Sequence, residues 1–238
     1  MSSVSEIEMS IAFEKLVKSG EHLNGMPDLD LMYKEVACKQ GIADFIGVNA
    51  KIDMGFFSSF NCGITLESGT LIFSLLKPKA PRSKRFLQEK TGLSEATVNR
   101  VIKELVSYDF IKNVGHELYV LSPVFVRPRV DIWAFELKLS NWRRALFQCL
   151  QYKAFANYSV VVFPIEKEHV LKKQLSLFKE LNVGVLLFDI TENNLRFLSR
   201  PKKEKSLSKW HTLFAIGKIA NQYNFDCANN YAVVNKQK

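Results

Sequence analysis

Apolar and polar residues alternate with two different periods along the chain, and the first segment shows both. Residues 5–18 have apolar positions at helical spacing, with Ser5 as an N-cap. After a polar break, residues 31–38 and 42–48 have the composition of two strands, and the short stretch 39–41 between them is typical of a turn. This segment is therefore predicted to form a helix followed by a β-hairpin.

The pattern changes between residues 68 and 123, where three short helices precede a hairpin. The predicted helices span residues 70–76, 83–90 and 95–108, with Ser94 as the N-cap of the third. The predicted hairpin arms are residues 110–114 and 117–121. Three helices followed by a two-stranded wing are typical of a winged-helix domain.

Strands and helices alternate in the last segment. Predicted strands at 130–138, 158–163 and 183–189 are separated by two helices, one from Ser140 to about residue 155 and one over 166–181. A basic loop at 200–209 precedes a last helix at 207–223, and we expect this loop to be solvated or to line a nucleic-acid groove. The alternation predicts an α/β fold with a mixed sheet covered by helices on both faces.

The charge and cysteine content limit the class of partner. A net charge of +9 favours a polyanion, either nucleic acid or an anionic membrane surface. No apolar run approaches the ~20 residues of a spanning helix, and residues 1–10 lack the features of a signal peptide. Cys38, Cys62, Cys149 and Cys227 form no CxxC pair, which argues against structural zinc and a disulfide framework. We therefore expect a cytoplasmic protein with no membrane partner.

Three ionisable residues lie in two otherwise apolar strands. Glu136 and Lys138 are two positions apart, so they share one face of their strand, with Leu137 on the other. Asp44 lies within the similarly apolar stretch 42–46. Charged side chains in interior strands are costly unless they are paired or bind a ligand. The sequence therefore predicts a functional site at Asp44, Glu136 and Lys138.

This pattern resembles the PD-(D/E)XK nuclease superfamily, which carries an Asp on a hairpin and Glu-X-Lys on the next strand. Gln148 and Tyr152 also fit the Q-x-x-x-Y signature of the RecB-like branch, on the helix after the Glu-X-Lys strand. The resemblance implies a restriction-endonuclease-like mixed sheet flanked by helices. One departure is Ala43, which stands where the family name has proline.

The resemblance also implies the chemistry of the site. Asp44 and Glu136 would hold Mg²⁺, for which Mn²⁺ is expected to substitute. Lys138 would orient the attacking water or neutralise developing negative charge. Gln148 and Tyr152 would complete the catalytic centre.

The family often takes a further acid from its N-terminal helix. Glu8 is the first candidate here, as a third metal ligand, and Glu6 is the second. Glu35, in the first arm of the hairpin, is either close to the site or an exposed strand residue. These two interpretations of Glu35 remain open at the level of sequence.

The long separation between Asp44 and Glu136 indicates an insertion. The gap is 136 − 44 = 92 residues, and the predicted winged-helix unit at 68–123 accounts for 56 of them. We therefore expect a nuclease core made of residues 1–60 and 127–238, with an inserted winged helix-turn-helix domain at 61–126. An insertion explains the spacing without a broken motif.

The third helix of the inserted unit has one apolar and one polar face. Winged-helix proteins place such a helix in the major groove of DNA, where its polar side chains reach base edges or phosphates. The alternative is a module that docks another protein. The side chains expected to contact DNA are Lys84, Arg85, Thr97, Asn99, Arg100, Lys103 and Arg144.

Three functions are compatible with these features. The first is a Mg²⁺-dependent deoxyribonuclease, with endonuclease activity preferred, whose inserted domain grips or selects DNA; cutting both strands would favour a homodimer. The second is a non-catalytic DNA-binding regulator or assembly factor on a nuclease scaffold. The third is a nuclease that acts on RNA, which is disfavoured because the narrow major groove of A-form RNA excludes side chains.

Overall fold

The structure is a computed structural model, and it describes residues 5–19, 26–50, 66–123, 125 and 130–228. The chain divides into two compact units. Unit 1 comprises residues 1–51, 130–207 and 230–238, and unit 2 comprises 52–129 and 208–229. The predicted junctions at 60/61 and 126/127, and Cys62, lie outside the described residues.

Helices and strands are numbered here in chain order. They are α1 (Glu6–Lys18), β1 (Leu31–Cys38), β2 (Gly41–Ala50), α2 (Glu67–Leu75), β3 (Arg82–Ser83), α3 (Lys84–Thr91), α4 (Glu95–Ser107), β4 (Ile111–Asn113), β5 (Leu118–Leu121), β6 (Val130–Leu137), α5 (Trp142–Tyr152), β7 (Tyr158–Pro164), α6 (Glu168–Glu180), β8 (Gly184–Asp189), β9 (Asn194–Ser199) and α7 (Lys209–Ala228).

Unit 1 is built on a six-stranded sheet of order β1-β2-β6-β7-β8-β9. The central strands β6, β7 and β8 are parallel, whereas β1, β2 and β9 pair antiparallel with their neighbours. The predicted α/β class with a mixed sheet flanked by helices is therefore confirmed. The parallel centre is strongly apolar, as expected for strands buried on both faces.

One face of this sheet packs against α1. Phe13 of α1 is fully buried, and its ring contacts the rings of Phe45, Phe135 and Phe188 from β2, β6 and β8. Ser5 begins α1 with a capping box, as its side chain accepts from the Glu8 N–H while the Glu8 carboxylate accepts from the Ser5 N–H. The predicted helix and its N-cap are thus confirmed.

The opposite face packs against α5 and α6. These two helices contact each other through the rings of Trp142 of α5 and Phe178 of α6, whose centroids are 6.1 Å apart. The N-cap of α5 is Asn141, whose side chain accepts from the Arg144 N–H, and not the predicted Ser140. Strand β9 was not predicted, and it pairs antiparallel with β8. A short 3₁₀ turn, Ile165–Lys167, precedes α6.

Unit 2 contains α2, α3 and α4 with a three-stranded antiparallel sheet of order β3-β5-β4. Gly92 ends α3 in the left-handed conformation at φ 68°, and Ser94 then caps α4 through the Thr97 N–H. The predicted apolar face of α4 is buried. Its members are Val98, Val101, Ile102 and Leu105.

The last helix, α7, belongs to unit 2. The sequence prediction grouped residues 208–228 with the nuclease core, whereas the Lys209 ammonium donates to the Ser74 carbonyl of α2 and the two helices pack together. Helical periodicity identifies a helix but not the surface that it covers, which explains the difference. No helix in the described part of the chain is long and apolar enough to span a membrane.

Phe13→Ala is expected to destabilise unit 1 by about 3–5 kcal/mol, because it removes a fully buried ring from between three strands. Denaturant unfolding with and without the substitution measures this loss. Ile11→Ala on the same helix is the control, since its side chain is exposed and should change stability little. Equal losses in the two variants would contradict the packing described for α1.

Candidate active site

The site lies where β2 and β6 separate. The antiparallel ladder between them runs from Ala50–Val130 to Phe45–Phe135 and then stops. Beyond that point Asp44 Oδ2 accepts the Leu137 N–H at 2.7 Å. On its other side β6 stays joined to β7, since the Lys138 N–H donates to the Val162 carbonyl. The sheet therefore forks at Asp44, with the carboxylate in the place of a backbone acceptor.

Glu136 and Lys138 project into this fork with Asp44. The Lys138 ammonium is 2.7 Å from Glu136 Oε1 and 3.9 Å from Asp44 Oδ2, and it also donates to the Leu137 carbonyl. Exposure increases across the three side chains, at 1% for Glu136, 14% for Lys138 and 35% for Asp44. The structure brings together the three residues that the sequence singled out, and the group opens to solvent on the Asp44 side.

Helix α5 closes the fork through Tyr152. The Tyr152 hydroxyl is 2.6 Å from Glu136 Oε2 and 2.9 Å from the Ile42 carbonyl of β2. Gly41 lies against this ring, as a Cβ there would be 3.3 Å from Tyr152 Cε1 and the backbone φ is 129°. Glycine at the β1–β2 turn thus gives both the backbone conformation and the space that the tyrosine needs.

Two buried oxygens in this region have unused acceptor capacity. Gln148 Oε1 has no hydrogen-bond partner among the described residues, and it lies on α5 one turn before Tyr152. Glu136 Oε1 faces the Lys138 ammonium as an ion pair, but no donor in the described part of the chain makes an aligned hydrogen bond to it. Buried acceptors of this kind favour a bound cation or donor.

Burial dominates the electrostatics of the carboxylates. Burial raises the pKa of Asp44, and the Leu137 N–H and the Lys138 charge only partly offset it. Burial likewise raises the pKa of Glu136, against the opposing effects of Lys138 and Tyr152. Burial lowers the pKa of Lys138, but its pairing with Glu136 outweighs that effect and the pKa is raised. Both carboxylates would gain from an additional positive charge.

Helix α1 carries both candidates for a third acid, Glu8 and Glu6. Glu8 is engaged with Ser5 at the start of α1, and this hydrogen bond to the backbone lowers the pKa of Glu8. Glu6 is the acid of α1 whose charge raises the pKa of Asp44. The Ser5-x-x-Glu8 spacing is a capping box that the sequence already shows, and it engages the Glu8 carboxylate at the start of the helix.

Glu35 lies across from Asp44 on the neighbouring strand. Its neighbours Lys34 and Val36 pair with Phe45 and Ala43, the two residues that flank Asp44. The Glu35 side chain is exposed and its backbone φ is 52°, a rare value for a strand residue. Its charge also raises the pKa of Asp44. Glu35 is thus an exposed residue that acts electrostatically on the site.

Several side chains expected to contact DNA already have partners. Lys84 pairs with Glu117, Arg85 with Glu89 and Arg100 with Glu104. The Thr97 hydroxyl lies 2.9 Å from that of Ser94 at the start of α4. Such exposed pairs are weak and a polyanion can displace them. Asn99 and Lys103 are exposed on α4, and Arg144 is exposed on α5.

The candidate metal ligands at the fork are oxygen atoms, with the ammonium group of Lys138 beside them. No cluster of three or more His, Cys, Asp and Glu side chains able to hold a metal occurs in the described ranges. Asp44 and Glu136 are two carboxylates, and the unpartnered amide oxygen of Gln148 lies on α5 one turn before Tyr152. Mg²⁺ commonly takes only one or two protein carboxylates and completes its shell with water and phosphate oxygens.

Comparison of the sequence with models of protein families and with curated protein sequences finds no match. The similarity to PD-(D/E)XK nucleases therefore depends on Asp44, Glu136, Lys138 and the Gln148–Tyr152 pair alone. The membership of this superfamily stays a prediction. The geometry of the fork is the basis for any functional proposal.

Asp44→Asn is expected to raise the unfolding temperature near neutral pH by about 2 °C or more. Because the pKa of Asp44 is raised by folding, the wild type loses stability as pH rises through that pKa, whereas asparagine stays neutral. The difference should disappear below the ordinary pKa of an Asp side chain. Thermal unfolding across pH measures it, with exposed Glu192→Gln as control. If the variant is less stable than the wild type at every pH, the ionised Asp44 side chain does not destabilise the folded protein as argued here.

Proposed function

We propose that the protein is a metal-dependent deoxyribonuclease that hydrolyses phosphodiester bonds at the fork between β2 and β6. The observation that carries this proposal is the convergence of Asp44, Glu136 and Lys138 within one ion-paired group. One buried and one half-buried acid beside a lysine are suited to a divalent cation and a phosphate. Endonuclease activity is the preferred mode.

The residues at the fork fit Mg²⁺. The ligands would be the Asp44 and Glu136 carboxylates, and the unpartnered oxygen of Gln148 would accept from the water shell. When bound, the ion would lower the pKa of a water and neutralise charge that develops on the phosphate. The raised pKa values of both acids support this fit, since a nearby cation favours their ionised forms.

Each side chain then has a distinct task. Lys138 orients the attacking water or neutralises the phosphoryl charge, from a position between the two acids. Tyr152 donates to Glu136 and holds that carboxylate against α5. The Leu137 N–H fixes Asp44 in the same way. The two acids are thus held in place before a substrate arrives, which lowers the cost of ordering them.

Unit 2 is proposed to grip the DNA. The order of its elements, a helix, a short strand, two helices and a hairpin, supports a winged-helix domain with α4 as the helix that enters the major groove. Asn99 and Lys103 are exposed side chains on α4 that would reach bases or phosphates. The basic net charge of +9 favours the same partner.

Lys138→Ala is expected to reduce DNA cleavage by about 10²–10³-fold, since it removes a charge aimed at the developing phosphoryl charge. Supercoiled plasmid and linear DNA are incubated with Mg²⁺, Mn²⁺ or EDTA, and nicking and linearisation are followed by gel. Lys173→Ala, an exposed lysine on α6, is the matched control. DNA affinity should be retained in both variants.

Two results would overturn the catalytic assignment. One is cleavage by Lys138→Ala at the rate of the wild type. The other is binding of DNA without cleavage under any metal by the wild type, which would favour a non-catalytic DNA-binding factor on this scaffold. Preference for RNA over DNA in the same assay would identify the third alternative.

The double substitution Asn99→Ala, Lys103→Ala is expected to weaken DNA binding by about tenfold or more. The loss should be larger at low salt, because a phosphate contact from Lys103 contributes to the salt dependence. Fluorescence anisotropy with a labelled duplex at several salt concentrations measures both effects. Gln88→Ala, Lys90→Ala on α3 removes the same functional groups from exposed positions. Equal losses in the two double variants would exclude α4 as the reading helix.

A further inference from the structure

A cavity lies at the end of the unit 1 sheet opposite the fork. It has a volume of about 580 Å³, within the range of small-ligand sites. It is formed where α6 ends, β8 begins and β9 leads into the basic loop. Its lining is mostly charged, with Lys179, Glu180, Arg200, Lys202, Lys203 and Glu204 beside Asn182.

The cavity and the fork are well separated within unit 1. Lys203 of the cavity pairs with Asp131 at the start of β6, whereas the fork lies at Leu137 at the end of that strand. Six residues of extended strand span roughly 20 Å. The cavity therefore does not belong to the group of Asp44, Glu136 and Lys138.

The basic loop that forms one wall is exposed to solvent, as one of the two expectations had it, and its backbone is held in place. Asn182 holds it through both ends of its amide, as Oδ1 accepts the Lys202 N–H at 2.7 Å and Nδ2 donates to the Lys202 carbonyl at 2.9 Å. Asn182 has a φ of 47°, a left-handed conformation that asparagine tolerates better than most residues. This residue thus positions the backbone of the loop.

Further contacts hold the same wall from both sides. Pro201 is buried against Gly184, where a Cβ would come within 2.6 Å of the proline ring. Downstream, the Glu204 backbone exchanges hydrogen bonds with Asn157, and the Glu204 carboxylate pairs with Lys153. The wall is therefore part of the fold and does not need a ligand to form it.

Positive charge remains in the cavity after these pairs are formed. Lys203 is neutralised by Asp131, and Glu204 is neutralised by Lys153. The remaining charged groups are three cations, Lys179, Arg200 and Lys202, against one acid, Glu180. The net charge of these four groups is therefore 3 − 1 = +2. None of these three cations makes an ion pair with another described residue of the chain.

We propose that this cavity binds phosphoryl groups, carried by a nucleotide-sized ligand or by the phosphorylated end of a DNA strand. Convergent lysine and arginine side chains on a fixed backbone are suited to the charge and geometry of phosphate oxygens. The volume admits one such group with its attached nucleoside. The proposal is independent of catalysis at the fork, and it assigns the basic loop a role as a binding wall.

The test is calorimetric titration of the full-length protein with inorganic tripolyphosphate at moderate salt. We expect saturable binding to the wild type. Lys179→Gln, Lys202→Gln should weaken it by about tenfold or more, because two charge-assisted contacts are lost. The matched control, Lys173→Gln, Lys205→Gln, removes one exposed lysine from α6 and one from the loop, neither of which lines the cavity.

A second variant separates a built site from general charge attraction. Asn182→Gly keeps the left-handed backbone and every charge but removes both hydrogen bonds to Lys202, so it should also weaken tripolyphosphate binding by several-fold. Unchanged binding by Asn182→Gly would contradict a preformed wall. No saturable binding by the wild type, or equal losses in the two lysine double variants, would overturn the proposal.

Competition identifies the source of the phosphate. A short oligonucleotide with a 5′-phosphate is titrated against bound tripolyphosphate, beside the same oligonucleotide without the phosphate and beside ATP. Displacement only by the 5′-phosphorylated strand supports a DNA end as the ligand, and displacement only by ATP supports a free nucleotide. Displacement by the unphosphorylated strand as strongly as by the phosphorylated one would contradict a site for terminal phosphoryl groups.

Discussion

The hydrogen bond from the Leu137 N–H to the Asp44 carboxylate is the interaction on which the candidate active site depends. A side-chain acceptor here ends the ladder between β2 and β6, so that the two strands separate while β6 stays paired with β7. The Tyr152 hydroxyl reaches the Ile42 carbonyl on the separated strand. The same separation gives Glu136 and Lys138 a space that a continuous sheet would not provide.

This arrangement costs folding free energy locally, and the other face of the same strands offsets it. The pKa values of Asp44 and Glu136 are raised by burial, so their ionised forms are disfavoured by the fold. Phe45 and Phe135 alternate with these acids, point to the opposite face and pack on Phe13. Two adjacent strands thus carry the polar site on one face and part of the apolar core on the other.

The sequence predicted the features that depend on alternation along one element. The period of two placed Glu136 and Lys138 on one face, and helical spacing identified the buried side of α4. The sequence did not predict two features that depend on tertiary contacts, namely strand β9 and the packing partner of α7. Strand β9 was missed although Leu195 and Phe197 alternate with polar residues in it, and the partner of α7 is not encoded in its own periodicity. The capping role of Glu8 with Ser5 was not weighed against metal binding, and the choice between Glu8 and Glu6 stays a prediction.

The two ends of the unit 1 sheet have opposite electrostatic requirements. At the fork, carboxylates with raised pKa values would be stabilised by a cation. At the cavity, the positive charge of Lys179, Arg200 and Lys202 exceeds the negative charge of Glu180, and a bound anion would stabilise this excess. Both groups are fixed by hydrogen bonds to backbone, through Asp44 at one end and Asn182 at the other. Because a rigid sheet separates them, ligands at the two ends need not compete for the same side chains, and each can be removed by substitution without direct loss of the other.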